Sequence, residues 1–237
     1  MMGIAAGAAL IAAGASAVTL TVAQPVNTTD RAAIEKIVRE YILAHPEILP
    51  EAMENLRAKE VEKALSASRA ALETPVGDAW QGAADGDVTL VQFFDYACGY
   101  CRASMADINR LLAEDPRLRV VYRDMPVLGD DSLEAARLSV AAALSGKFNA
   151  MHAPLYAAGR PSAASREAVR RRIGLDAKAI AAPDVDREIA RNLQFQREFD
   201  ISGTPAWVVG NKLLVGAVGY DALKAAVAEA RAARGQR

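Results

Sequence analysis

Two periodicities alternate along the chain. The run Val88 to Phe94 (VTLVQFF) is nearly continuous in β-forming residues, and SMADINRLLAEDP behind it puts Met105, Ile108, Leu111 and Leu112 on one helical face. This predicts a buried strand entering a helix that ends near Glu114, then a turn at Asp115-Pro116. Leu118 to Arg123 (LRVVYR) reads as a second strand parallel to the first, completing a βαβ unit, and Pro75 to Ala79 is expected to add a short edge strand. From Asp130 to Phe199 the pattern is helical, in pieces at Ser132–Leu144 (ended by Gly146), Lys147–Tyr156, Ser165–Ile173, Asp176–Ile180 and Asp184–Phe199. After Gly203 it reverts to strand. Trp207–Val209, the turn Gly210-Asn211 and Lys212–Val215 form a hairpin, and Tyr220–Arg234 is a closing amphipathic helix with Leu223, Ala226, Val227 and Ala230 inward. A βαβ half, a helical block and a ββα half make an α/β domain over residues 73–237 with a helical insertion at about 130–199.

The first 72 residues follow other rules. Residues 1–26 carry no charge and are mostly small and apolar, which predicts an export segment with Ala15-Ser16-Ala17 and Thr21-Val22-Ala23 as cleavage candidates. No Lys or Arg precedes the apolar run, so an N-terminal membrane anchor is the alternative. Either way the bulk of the chain is expected outside the cytoplasm. Residues 27–72 read as a helical arm. Ile34, Ile37, Val38, Tyr41 and Ile42 recur at helical spacing, His45-Pro46 interrupts, and Met53, Leu56, Val61 and Leu65 resume among charges. Such a seam with no second layer to cover it predicts pairing between copies, the other readings being an arm folded back on the domain or a partly disordered tether.

Composition narrows the picture further. A net charge of −1 offers no basic field for nucleic acid. The only two cysteines are Cys98 and Cys101, so no disulfide besides their own can brace the chain. The 52% hydrophobic content must hold the core by burial. Phe148, Met151 and Tyr156 read as core packing, with His45 a helix-end residue and His152 unassigned to any site.

The chemistry converges on Cys98-Gly99-Tyr100-Cys101, placed where the buried strand ends and the helix begins. Unpaired backbone N–H groups and the positive end of the helix dipole favour a thiolate there. A thiolate with a second Cys one turn later can attack a disulfide and then be released by its neighbour. Zinc would need four ligands, and the chain has only distant His45 and His152 to add. Copper(I) held by Cys98 and Cys101 is the stronger metal alternative, since two thiolates suit a soft ion.

FFDYACGYC, the helical insertion, and GTPAWVVGN followed by a hairpin and a helix resemble the DsbA-like branch of the thioredoxin-fold oxidoreductases over about Pro75 to Arg234. The sequence IVREYILAHPEILPEAMENLRAKE is similar to the arm of the suppressor-of-copper-sensitivity C proteins and related DsbA-like isomerases, in which the arm assembles an oligomer. The resemblance implies a thioredoxin fold with an inserted helical domain, and a redox-active Cys98–Cys101 disulfide in place of a separate cofactor. Cys98 would be the exposed nucleophile and Cys101 the buried resolving thiol. Pro205 would be a cis-proline facing them, leaving the backbone of Thr204 to pair with an extended substrate.

The resemblance also bears on which reaction to expect. Gly99-Tyr100 lacks the His of the strongly oxidising relative, and Thr204 is the choice of the family's isomerases. Gln92 stands where many relatives carry a buried, proton-moving Glu, so that relay is in doubt. The expectation is a periplasmic isomerase or reductase for disulfide-containing exported proteins, recharged by a membrane redox partner and assembled as a homo-oligomer. Several active sites in one assembly would raise the local thiolate concentration around a misfolded chain. A DsbA-type oxidase and a copper(I) carrier are the alternatives.

Overall fold

The computed structural model describes residues 28–235. The export and anchor expectations for 1–26 lie outside the described residues. The chain divides into two compact units after Ala52. The first contains helix α1 (Thr28–Ala44), which leaves Ile34, Ile37, Val38 and Tyr41 about half or more exposed. Arg31 and Glu35 form an i, i+4 pair on it, and the His45 ring lies near Tyr41 and Glu47.

Helix α2 (Ile48–Glu73) starts two residues before Pro50, which the first turn of a helix tolerates. The unit boundary falls inside it. The arm read from the sequence as 27–72 therefore gives up its second half to the second unit. The cause is burial: Leu65 and Leu72 are each 1% exposed, in a cluster with Val91, Phe93, Val121 and Phe199.

The second unit is built on a five-stranded sheet in the order β1-β3-β2-β4-β5. Strand β1 is Trp80–Gly82, β2 is Val88–Phe94, β3 is Leu118–Asp124, β4 is Ala206–Val209 and β5 is Lys212–Val215. β2 and β3 run parallel, with Val88 opposite Leu118 and Phe94 opposite Asp124. The remaining pairs are antiparallel. The edge strand exists, but at Trp80–Gly82 and not at Pro75–Ala79. There, Trp80 to Gly82 pair with Val121 to Arg119, whereas a proline offers no N–H to a ladder.

All seven residues of β2 are buried because both faces of the sheet are covered. On one face Leu90 and Phe94 pack with Ile108 and Leu111 of α3 (Gly99–Glu114) and with Leu223 and Val227 of α9 (Tyr220–Arg234). On the other, Val91 and Phe93 meet the end of α2 and Phe195, Phe199 and Ile201. Side chains alternate across a strand, so one run feeds two cores.

The insertion comprises α4 (Asp130–Leu144), α5 (Phe148–Ala157), α6 (Ala163–Arg172), α7 (Ala177–Ile180) and α8 (Pro183–Glu198), each within two residues of its predicted position. Gly146 follows α4 at φ +67°, the left-handed conformation that lets a helix stop and the chain turn at once. Val140, Phe148, Met151 and Leu155 carry this layer into the core of the sheet.

Candidate active site

Cys98 is the N-cap of α3, with extended backbone (φ −81°, ψ 115°). Its Sγ accepts a hydrogen bond from the Cys101 N–H at 3.3 Å, one of the donors a helix start leaves free. The strand-to-helix turn is closed by the Cys98 N–H donating to the Asp95 carbonyl at 3.0 Å. From across the site, the Thr204 carbonyl accepts from the Cys98 thiol at 3.3 Å. The Thr204–Pro205 peptide bond is cis. Pro205 lies one residue before β4, whose first residue, Ala206, pairs with Phe93 near the end of β2. Sheet register thus brings 98 and 204 together across 106 positions of sequence.

The structure brings Cys101 and Thr204 to the Cys98 sulfur, with Gly99 and Tyr100 in the first turn of α3 between the cysteines and Pro205 joined to Thr204 by the cis bond. It corrects one expectation: Cys98 is not an exposed residue. It is 5% exposed against 0% for Cys101, because Thr204 covers it from the β4 side. Tyr100, by contrast, stands 71% exposed beside it. Burial pushes the Cys101 thiol well above its ordinary range, with an Asp95 backbone hydrogen bond pulling the other way. Gln92, on the α3 side of β2, is fully buried, and neither end of its amide finds a partner among the described residues. Among those residues no group of three or more His, Cys, Asp or Glu is placed to share a metal ion.

Periodicity could not disclose the polar network beneath the site. Tyr96, two residues before Cys98, points its hydroxyl at His152 Nδ1 of α5, 2.7 Å away. Ser139 of α4 lies 3.4 Å from the same hydroxyl and donates to Asp124 at 2.9 Å. Burial holds the Asp124 carboxyl far above the usual carboxylate range. Burial also drives His152 down to about 3, its ring stacked on Phe148 and edge-on to Phe94 and Tyr156.

His152 therefore folds neutral. Its contribution to stability is complete above the unfolded value of about 6.5 and is lost as pH falls toward 3. Asp124 has the opposite sign, contributing at low pH and losing it as pH rises. The difference between wild type and His152→Phe isolates the histidine. Urea unfolding at pH 7 and pH 4 should show the variant gaining about 3 kcal/mol on wild type at the lower pH. An unchanged difference would mean that His152 is not buried neutral.

Against known proteins, the family model for the DSBA-like thioredoxin domain matches residues 89–228, which include the whole CxxC helix, the insertion and the cis-proline strand. The model for the N-terminal domain of the copper resistance protein ScsC matches residues 30–63. A thioredoxin-like oxidoreductase from Silicibacter pomeroyi is 38% identical, covering 64% of this chain and 91% of its own, with a TM-score of 0.61. A linker-deletion mutant of Proteus mirabilis ScsC is 27% identical over 87% of this chain and 97% of its own, with a TM-score of 0.73. A curated relative, a Na(+)/H(+) antiporter NhaA of Salinispora tropica, is 30% identical over 165 residues, and the chain spans only 25% of its length. The dithiol at the head of α3, the facing Thr204–cis-Pro205 and the inserted helices coincide with the span of the first model, and the chain belongs to the DSBA-like thioredoxin domain family.

Proposed function

We propose that this chain is a thiol–disulfide oxidoreductase of the DsbA/ScsC type, working outside the cytoplasm as a disulfide isomerase or reductase for misfolded exported proteins, with a membrane redox partner resetting its dithiol. The observation that carries the reading is the sulfur of Cys98, held between the Cys101 N–H and the Thr204 carbonyl. As a thiolate, Cys98 attacks a substrate disulfide. One S–S bond breaks, one forms to Cys98, and the substrate's other sulfur leaves as a thiolate. Two exits follow. Cys101 gives up its proton and attacks Cys98 Sγ, which releases reduced substrate and leaves the Cys98–Cys101 disulfide. Alternatively a second substrate thiolate attacks the mixed disulfide, which returns Cys98 and leaves a rearranged substrate.

The burial that raises Cys101 slows the first exit, because little thiolate is available to attack. A slow exit gives the substrate time for the second. Thr204 and the Gly99-Tyr100 pair point the same way. Assembly through α1, whose Ile34, Ile37, Val38 and Tyr41 are exposed, would set several active sites around one client.

The test is reactivation of a scrambled, disulfide-bonded protein by the reduced enzyme, beside the mass in solution of the full chain and of a form lacking residues 27–52. That deletion spares Leu65 and Leu72, which the catalytic unit needs. Reactivation that falls several-fold with loss of assembly supports the proposal. No reactivation, with rapid oxidation of reduced substrates, would move the chain to the oxidases. Tight copper(I) binding with negligible disulfide turnover would make it the copper carrier.

A further inference from the structure

Trp207 is the second residue of β4 and is fully buried, yet its ring carries an N–H that needs a partner. It finds one beyond its own strand. The indole N–H donates to the Gly216 carbonyl at 3.0 Å, one residue past the end of β5. The N–H of the same Gly216 donates to the Pro205 carbonyl at 2.8 Å. Residue 216 is therefore tied by two bonds to the segment 205–207. Its φ of +95° suits glycine, and open space lies where a Cβ would stand. A third bond, from the Val218 N–H to the Gly216 carbonyl at 3.0 Å, tightens the loop but ties it only to itself. β5 is an outer strand of the sheet and partly open to solvent, so the pairing at its end would fray without an anchor. The indole is that anchor. Pro205 follows Thr204, whose carbonyl accepts from the Cys98 thiol at 3.3 Å. That bond exists only while Cys98 carries a proton, since a disulfide sulfur has none to give. Whatever keeps the Thr204 carbonyl in place favours the dithiol over the disulfide.

We propose that Trp207 is a positioning residue: its indole N–H, acting through Gly216 and Pro205, holds the Thr204 carbonyl against the Cys98 thiol and shifts the Cys98–Cys101 couple toward its reduced form. The inference rests on the reading that these cysteines cycle between dithiol and disulfide. It assigns the balance between the two states to a side chain outside the motif. A reduced resting state is what an isomerase or reductase needs, because only a free thiolate can open a substrate disulfide.

The experiment equilibrates the full chain, Trp207→Phe and Gly216→Ala in glutathione buffers of graded ratio. One oxidised glutathione becomes two glutathione thiols as each Cys98–Cys101 bond forms. The fraction oxidised is read by intact mass after acid quenching and alkylation. Trp207→Phe keeps an aromatic ring and removes the N–H. Gly216→Ala keeps the indole and strains the backbone at φ +95°, so the two variants loosen one link from opposite ends. Each should move the equilibrium about fivefold toward the disulfide, the size of one ordinary hydrogen bond. Thermal melts of both redox forms give the second readout, in which the reduced form should lose about 3 °C more than the oxidised one. If one variant does not fold, the other decides. An unmoved equilibrium, a shift toward the dithiol, or equal losses in the two melts would make Trp207 a packing residue only and overturn the proposal. A wild-type chain that forms no Cys98–Cys101 disulfide in any glutathione buffer removes the oxidoreductase reading underneath.

Discussion

Cys98→Ala should take disulfide exchange to the uncatalysed background, while Cys101→Ala should bind substrate and hold it. The two sulfurs are three residues apart and both are buried, yet their surroundings make them unequal. Cys98 sits at the start of α3, where the N–H of Cys101 is aimed at it and stabilises negative charge as it leaves or returns. Cys101 lies one turn inside, and burial favours its neutral thiol. Removing Cys98 therefore removes the nucleophile, and Cys101, with no exposed surface, cannot substitute for it. Removing Cys101 leaves the attack intact but closes the intramolecular exit, so the Cys98–substrate disulfide should accumulate. Reduction of insulin followed by turbidity should be lost in both variants. Intact-mass analysis should find the adduct on Cys101→Ala alone. Adducts on Cys98→Ala, or full turnover by it, would place the reactive thiolate elsewhere.

Much of this site is legible in the sequence because its signals are local. A β-forming run, a CxxC and a 3.6-residue period lie within 25 consecutive positions, and the strand, turn and helix followed them closely. The helices of the insertion were legible for the same reason. What escaped notice depends on pairings far apart in the chain. Asp95 meets three of its four side-chain donors 32 to 37 residues later, and Tyr96 meets His152 across 56. His152 looked inert because its partners are a tyrosine and a ring of aromatics, with no metal-ligand spacing to reveal them. The exposure of Cys98 was misjudged because the residue that covers it, Thr204, arrives through the sheet and not through the motif. The two fates of the arm were likewise undecidable from one seam. Apolar positions in α1 and α2 look alike in sequence, but those late in α2 have the second face of the sheet to cover.

The same second face predicts where the catalytic unit is most vulnerable. Arg123, on β3, has no exposed side-chain surface, and its guanidinium does two jobs. It pairs with Glu188 of α8 at 2.7 Å. It also donates to the carbonyls of Ala71, Leu72 and Thr74 at the end of α2, groups that a helix terminus leaves without partners. Burial drags the guanidinium down to about 10, so it remains charged at neutral pH at a real desolvation cost. Arg123→Met fills similar volume but abandons a carboxylate and three carbonyls, which should destabilise the unit by about 3–5 kcal/mol and lower its melting temperature by about 10 °C. Adding Glu188→Leu separates the two jobs. If the ion pair dominated, the double variant would return to near wild-type stability, since apolar replacement of a buried pair is often neutral. The carbonyls of α2 remain unpaired in either variant, so recovery should be less than half. Full recovery in a thermal melt would show that the end of α2 does not depend on Arg123, and with it that Leu65 and Leu72 alone secure that helix to the sheet.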